Sequence, residues 1–288
     1  MKNKLCIGLS TCGNVPTAEL FSEYSKAGID AMEISLKRDG CERIDFRETE
    51  KNAKDCGVKL WSFHLPFSTD SFSPDIASLD ESLRRQSIDF QSELIKKASD
   101  IGISVFVIHP CLEPVADKDR AERMSAAKAS LAELAEVAEK AGGVLSVEDL
   151  PRSCLGRNAA EIEELVSADP RLRICFDTNH LLSETPESFV RKFKDKILTL
   201  HVSDYDNVNE RHWLPGEGII DWHSLYDALI KEGYKGPWLY EVGFDCPKTI
   251  YRKRRLCCED FVRNANEIFE RRPLTVISTP KPGIGMWE

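Results

Sequence analysis

Short apolar runs recur along this chain, and six of them end on an acid or a histidine. They are "LWSFHLPF" (His64), "VFVIHP" (His109), "VLSVED" (Glu148), "RICFDTNH" (Asp177, then His180), "ILTLHVSD" (His201) and "WLYEVG" (Glu241). With two further runs near the N-terminus they predict eight strands, at roughly 4–10, 30–35, 58–64, 104–109, 144–148, 172–177, 197–202 and 237–242. Helical patterns lie between them. "TAELFSEYSKAG" stops at Gly28, and the alanine-rich "RMSAAKASLAELAEVAEKAGG" closes on Gly142 and Gly143. Strand followed by helix, eight times, predicts an α/β fold of one (β/α)8 barrel with its active site at the C-terminal mouth of the strands. A doubly wound open sheet would gather its ligands at one topological switch point, whereas these groups come from at least six strands.

Composition agrees with a single large core. The chain has 288 residues, 42% of them hydrophobic, and no linker rich in Pro, Gly or Ser divides it. Residues 1–271 are read as the barrel. Residues 272–288, "RPLTVISTPKPGIGMWE" with three prolines, are read as an extended C-terminal tail. A net charge of -9 argues against a broad basic surface, so nucleic acid is not the expected partner. No apolar stretch of about 18 residues is present, so no membrane span is expected. The start, "MKNKLCIGLSTCGN", reads as a first strand rather than a signal peptide. Ten cysteines form no CxxC pair, and free thiols in a reducing, cytoplasmic location are the expectation. Adjacent Cys257 and Cys258 read as helix packing.

The strand-end acids and histidines carry the chemistry. Glu148, Asp177, His201 and Glu241 fall on strands five to eight, where side chains from separate rigid strands can converge on one divalent cation. Three carboxylates and one imidazole suit Mn²⁺, Mg²⁺, Co²⁺ or Zn²⁺. Taken singly, each has a plainer reading. Asp177, ahead of Thr178 and Asn179, could cap the next helix. The joint pattern weighs against that, since five of six histidines (64, 109, 180, 201 and 212) sit at or just past strand ends and only His223 sits on a helix. Trp61, Phe67, Trp213 and Phe244 could wall the mouth, and Arg152, Arg157 and Arg211 are loop cations able to hold an anionic group.

The ordered set "FHLPF", "VIHP", "VED", "CFDTNH", "LHVSD", "RHWLPGEGIIDW" and "YEVGF" resembles the xylose-isomerase-like TIM barrels, which include sugar phosphate isomerases and epimerases and the related zinc-dependent abasic-site endonucleases. The resemblance runs from about residue 4 to about 270. For the epimerase branch it implies a metal site of Glu148, Asp177, His201 and Glu241, holding Mn²⁺ or Zn²⁺, with Mg²⁺ or Co²⁺ as alternatives. It also implies that Glu148 and Glu241 act as paired acid and base around a metal-stabilised enediolate. The expected substrate contacts are His64, His109, His180, Arg211, His212 and Trp213, and the expected substrate is a sugar, sugar phosphate or related polyol. The same resemblance implies a homo-oligomer formed through loops or the tail.

Two other activities are compatible with this set. The endonucleases use nine ligands for three zinc ions, which here would add His64, His109, His180, Glu210 and His212, with Glu210 in place of the usual Asp. Against a nuclease, "EDLPRSCLG" lacks the endonuclease pattern after the fifth strand. The loop "HLPFSTDSFSPD" also has no Arg or Lys to hold phosphate. A metal-dependent lyase on a keto-sugar would use the same enediolate. The expectation is therefore an isomerase or epimerase, with the endonuclease and the lyase as alternatives.

Overall fold

The computed structural model describes residues 4–37, 39–181 and 183–281. Its core is a sheet of eight parallel strands: β1 (Ile7–Ser10), β2 (Ala31–Ser35), β3 (Lys59–His64), β4 (Val105–Ile108), β5 (Val144–Glu148), β6 (Arg173–Asp177), β7 (Ile197–His201) and β8 (Trp238–Tyr240). The strand order is β7-β6-β5-β4-β3-β2-β1-β8. A parallel bridge between Val202 and Tyr240 brings the two outer strands together. There Val202 donates its N–H to the Leu239 carbonyl at 2.8 Å, and Glu241 donates to the Val202 carbonyl at 3.2 Å. The expected (β/α)8 barrel is the observed architecture.

The helices that cover it are α1 (Ala18–Ala27), α2 (Gly40–Arg43), α3 (Phe46–Cys56), α4 (Glu81–Asp100), α5 (Arg120–Lys140), α6 (Ala159–Val166), α7 (Pro186–Phe193), α8 (Trp222–Lys231) and α9 (Cys258–Phe269). Local chemistry sets their ends. Thr17, Asp45, Asp80, Asn158, Thr185 and Asp221 each accept a first-turn backbone N–H. Gly28 closes α1 at φ +90, a left-handed cap that a side chain would strain. Aromatic contacts join the layers: Phe176 of β6 stacks on Phe189 of α7 with centroids 4.7 Å apart, and Trp238 of β8 meets Trp222 of α8 edge-on at 5.9 Å.

The barrel interior is more polar than an apolar fill requires. Trp61 Nε1 of β3 donates to Thr199 Oγ1 of β7 at 3.0 Å, a bond that crosses the barrel because three strands separate the two on either side. Two register breaks accompany this. Between β2 and β3 the pairing passes from Met32–Leu60 to Glu33–Ser62, skipping Trp61, and between β6 and β7 it passes from Ile174–Ile197 to Cys175–Thr199, skipping Leu198. Such bulges re-aim side chains near functional sites.

Residues 272–288 were expected to form an extended tail. Within them β10 (Ser278–Pro280) pairs antiparallel with β9 (Ile250–Arg252), so residues leading to β10 turn back onto the loop between β8 and α9. The rest of the expected tail, 282–288, lies outside the described residues.

One buried acid organises the loop between β7 and α8. The Asp204 carboxylate accepts from Trp222 Nε1 and Gly216 N, both at 2.8 Å, from Tyr205 N at 2.9 Å and from Ile220 N at 3.2 Å. Burial pushes its carboxyl pKa up, and these donors pull only partly in the other direction. The loop wraps so tightly that a Cβ on Gly218 would lie 2.2 Å from the Tyr205 carbonyl oxygen and 2.3 Å from Asp204 Oδ1. Asp204→Ala should lower the unfolding free energy by about 1–3 kcal/mol because it leaves buried donors unpaired, and Gly218→Ala should also destabilise. Urea or thermal unfolding measures both, and unchanged midpoints would show that the loop is not held in this way.

Candidate active site

Four strand ends converge at the barrel mouth. Glu148 and Asp177 end β5 and β6, His201 ends β7, and Glu241 stands one residue beyond β8. His201 Nδ1 lies 3.1 Å from Glu148 Oε1, 3.5 Å from Glu241 Oε2 and 3.8 Å from Asp177 Oδ2. One donor atom from each of the four lies within 4.8 Å of the other three. Asp177 does not cap the next helix, which Thr185 caps. Asp177 Oδ1 accepts from Asn179 N at 2.7 Å in a local turn, whereas Oδ2 is buried with no hydrogen-bond partner. A buried carboxylate oxygen without a donor, facing two further carboxylates and an imidazole, is what a divalent cation would satisfy, so the residues fit such an ion.

The remaining predicted residues divide into two groups. His64 and His109 place Nε2 at 3.0 Å and 3.3 Å from Glu148 Oε2. His180 Nδ1 donates to the Asp149 carbonyl at 2.7 Å, its Nε2 lies 3.1 Å from Glu210 Oε2, and His212 Nδ1 lies 3.2 Å from the Glu241 carbonyl oxygen. All of these, with Glu148 and Glu241, line a cavity of about 330 Å³, within the range typical of small-molecule sites. Phe67 also lines it and stacks on His109, ring centroids 4.4 Å apart. Among the described residues, further compact groups could hold an ion without sharing His201, His64 with His109 and Glu148, and His180 with Glu210 and His212.

Several expected contacts are placed elsewhere. The Arg211 guanidinium is buried on Asp206, Nε to Oδ2 2.8 Å, and the Trp213 indole is buried with its N–H donated to Thr249 Oγ1 at 2.8 Å. Neither lines the cavity. The physical reason is the path of the loop after β7: His212 takes φ +50, which lets its side chain enter while its two neighbours pack inward. Trp61 points its N–H across the barrel at Thr199, and Phe244 lines a neighbouring groove. Arg157 is a surface partner of Glu161 at 3.5 Å. Arg152 does reach the cavity, but two carboxylates already hold it: Glu113 in a bidentate pair at 3.0 and 2.6 Å, and Glu210 at 3.0 Å, while Asn209 Oδ1 accepts at 2.6 Å.

Sequence reasoning missed three acids. Glu33, in the middle of β2, lies 3.1 Å from His201 Nε2 and is fully buried. Asp149 accepts from Asp177 N at 2.8 Å, and burial pushes its carboxyl up to about 7. Glu113 anchors Arg152. Glu33 carried a signal, because an acid inside the apolar run "AMEIS" has no solvent to face if that strand is buried on both sides.

Without an ion, burial and mutual charge push the groups of the cluster in opposite directions. Burial pushes the Asp177 carboxyl up, His180 pulls it down, and the charges of Glu241 and Glu148 leave it well above the usual range. Burial lowers His180 and His201, but the surrounding acids, Asp177 for the first and Glu33 and Glu241 for the second, raise both well above an ordinary imidazole. Glu148 is the counterpart: burial raises it, yet His201 and His109 hold it well below the carboxylate range.

The chain belongs to the xylose isomerase-like TIM barrel family, whose sequence profile matches residues 21–256. Fructoselysine 3-epimerase of Shigella flexneri is 26% identical over 242 residues, covering 80% of this chain and 87% of that protein. A D-tagatose 3-epimerase-like protein superposes with TM-score 0.77 at 22% identity over 93% of this chain and 96% of its own. A D-psicose 3-epimerase from Clostridium cellulolyticum H10, solved with D-tagatose, gives TM-score 0.72 at 19% identity over 84% and 86%.

An ion entering this family member's cluster must displace the protons on groups whose pKa is raised. Apparent Mn²⁺ affinity should therefore weaken as pH falls through the raised pKa values of these groups. Asp177→Asn should weaken binding throughout. Titrations at several pH values check the sign, and a pH-independent affinity would place the ion away from these residues.

Proposed function

We propose that this protein is a divalent-metal-dependent sugar isomerase or epimerase that moves a proton at a carbon beside a carbonyl. The observation that carries the reading is the pair of carboxylates, Glu148 and Glu241, which reach one cavity from β5 and from beyond β8, with the same His201 nitrogen 3.1 and 3.5 Å from them. Its relatives by fold and sequence support the sugar assignment.

Glu148, Asp177, His201 and Glu241 would hold the ion. Bound there, a divalent cation would polarise two neighbouring substrate oxygens and acidify the adjoining C–H. Glu148 is proposed to accept the proton at a carboxylate oxygen and leave an enediolate. Glu241 is the second carboxylate, placed to return a proton. Return to the opposite face of the same carbon gives the epimer, and return to the neighbouring carbon gives the aldose or ketose partner. His180, held between the Asp149 carbonyl and Glu210, and His212 are proposed to bind substrate hydroxyls. Phe67 and His109 offer a stacked surface for the C–H face of a sugar. The guanidinium of Arg152 is already bound by two carboxylates and is not available for a phosphate dianion, so the proposed substrate is an unphosphorylated sugar or polyol.

The test is deuterium uptake from solvent into a panel of ketoses and their phosphates, with the Mn²⁺-loaded protein. Free ketoses should exchange at one carbon and their phosphates at least tenfold more slowly, and Glu148→Gln and Glu241→Gln should each lose about 10²–10⁴-fold. Full exchange in both folded, metal-loaded variants would overturn the assignment.

A second reading, a zinc-dependent hydrolase of abasic DNA, is favoured by the two additional ligand groups around His64 and His180. Incubation of zinc-loaded protein with an abasic-site duplex separates the two readings. Intact DNA is the expected result, and strand cleavage abolished by chelation would replace the sugar assignment.

A further inference from the structure

Glu33 is a carboxylate with no accessible surface, placed inside the barrel. Among the described residues no Lys or Arg pairs with it. Its contacts are Ser62, whose hydroxyl donates to Oε2 at 2.8 Å, and His201, whose Nε2 lies 3.1 Å away. Burying an isolated carboxylate is strongly unfavourable unless its oxygens are matched by donors. The register break in β3 supplies one such donor; both hydrogen bonds fall on Oε2, and Oε1 is buried with no hydrogen-bond partner. Regular pairing after Met32–Leu60 would set Glu33 against Trp61, but the skipped residue brings Ser62 opposite instead, with its hydroxyl on the carboxylate. The bond to His201 spans the barrel from β2 to β7, strands that are not neighbours. Side chains on both sides are therefore committed to one contact below the metal-binding cluster.

The consequence lies in the imidazole. Its two nitrogens face different partners: Nδ1 faces Glu148, Asp177 and Glu241, and Nε2 faces Glu33. A neutral imidazole has one N–H, and a ligand nitrogen must offer a lone pair. Carboxylates stand 3.1 Å from both nitrogens; with a cation held by Glu148, Asp177 and Glu241, Glu33 is the acceptor left to the ring, which keeps the N–H at Nε2 and leaves Nδ1 bare. We infer that Glu33 is a positioning residue that fixes the tautomer and ring plane of His201, so that its Nδ1 lone pair is directed at Glu148, Asp177 and Glu241. The inference rests on the metal-dependent reading above. Glu33 does not line the cavity, and its hydrogen bond to the cluster is the one to His201.

The experiment measures the Mn²⁺ dissociation constant by competition with a fluorescent chelator, for wild type, Glu33→Leu, Glu33→Gln and Thr199→Val. Loss of such an outer support weakens metal binding by about 10–100-fold. Glu33→Leu should fall in that range, and Glu33→Gln, which keeps an acceptor without the charge, should lose less but measurably. Thr199→Val removes another bond across the same interior, from Trp61, and should bind Mn²⁺ as wild type does. That control separates positioning from a general loosening of the barrel. Equal affinity in wild type and Glu33→Gln overturns the inference even if Glu33→Leu fails to fold, as does an equal loss in Thr199→Val. A wild type that binds no Mn²⁺ overturns the metal reading, and the inference with it.

Discussion

The imidazole of His201 is the point on which the mouth of this barrel depends. Glu148 and Glu241 approach one nitrogen, Glu33 approaches the other, and Asp177 stands behind with an oxygen that has no donor. Four carboxylates around one ring, three of them buried and Glu241 partly exposed, repel one another strongly without a positive charge between them. Their mutual charge raises the pKa of His180, His201 and Asp177, while the histidines beside it lower that of Glu148. A divalent cation would offset the repulsion among the carboxylates with one fixed charge.

That constraint explains why so much structure away from the mouth is polar. Ser62 and the break at Trp61 exist beside Glu33, and Asp149 holds the start of the turn that carries Asp177 and His180. Farther out, Arg152 joins the loop after β4, through Glu113, to the loop after β7, through Asn209 and Glu210. Its φ of +54 marks a backbone held in an uncommon conformation. The loops over the cavity are thus tied by ion pairs, and the last of these, Glu210, meets His180 at 3.1 Å. Asp204 performs a comparable task with neutral donors, drawing "LPGEGIIDW" into a compact turn that ends at the start of α8.

How far the sequence revealed this follows from what fixes each feature. Strands buried on both faces must be apolar along their length, so all eight barrel strands were legible, as were the acids and histidines at their ends. Side-chain direction was less so. Trp61, Arg211 and Trp213 were expected at the mouth, but a skipped residue in β3 and a positive φ at His212 turn them away, and neither event has a local sequence mark. Glu33 was overlooked because it sits mid-strand rather than at a strand end. β9 and β10 were missed because each is three residues long and their pairing joins residues far apart in the chain.

Anomalous diffraction from crystals soaked in Mn²⁺ would locate the ion itself. One strong peak is expected, bounded by Glu148, Asp177, Glu241 and Nδ1 of His201, with Nε2 of that ring still on Glu33. A strongest peak among His180, Glu210 and His212 would contradict that placement, as would no ordered ion within reach of His201.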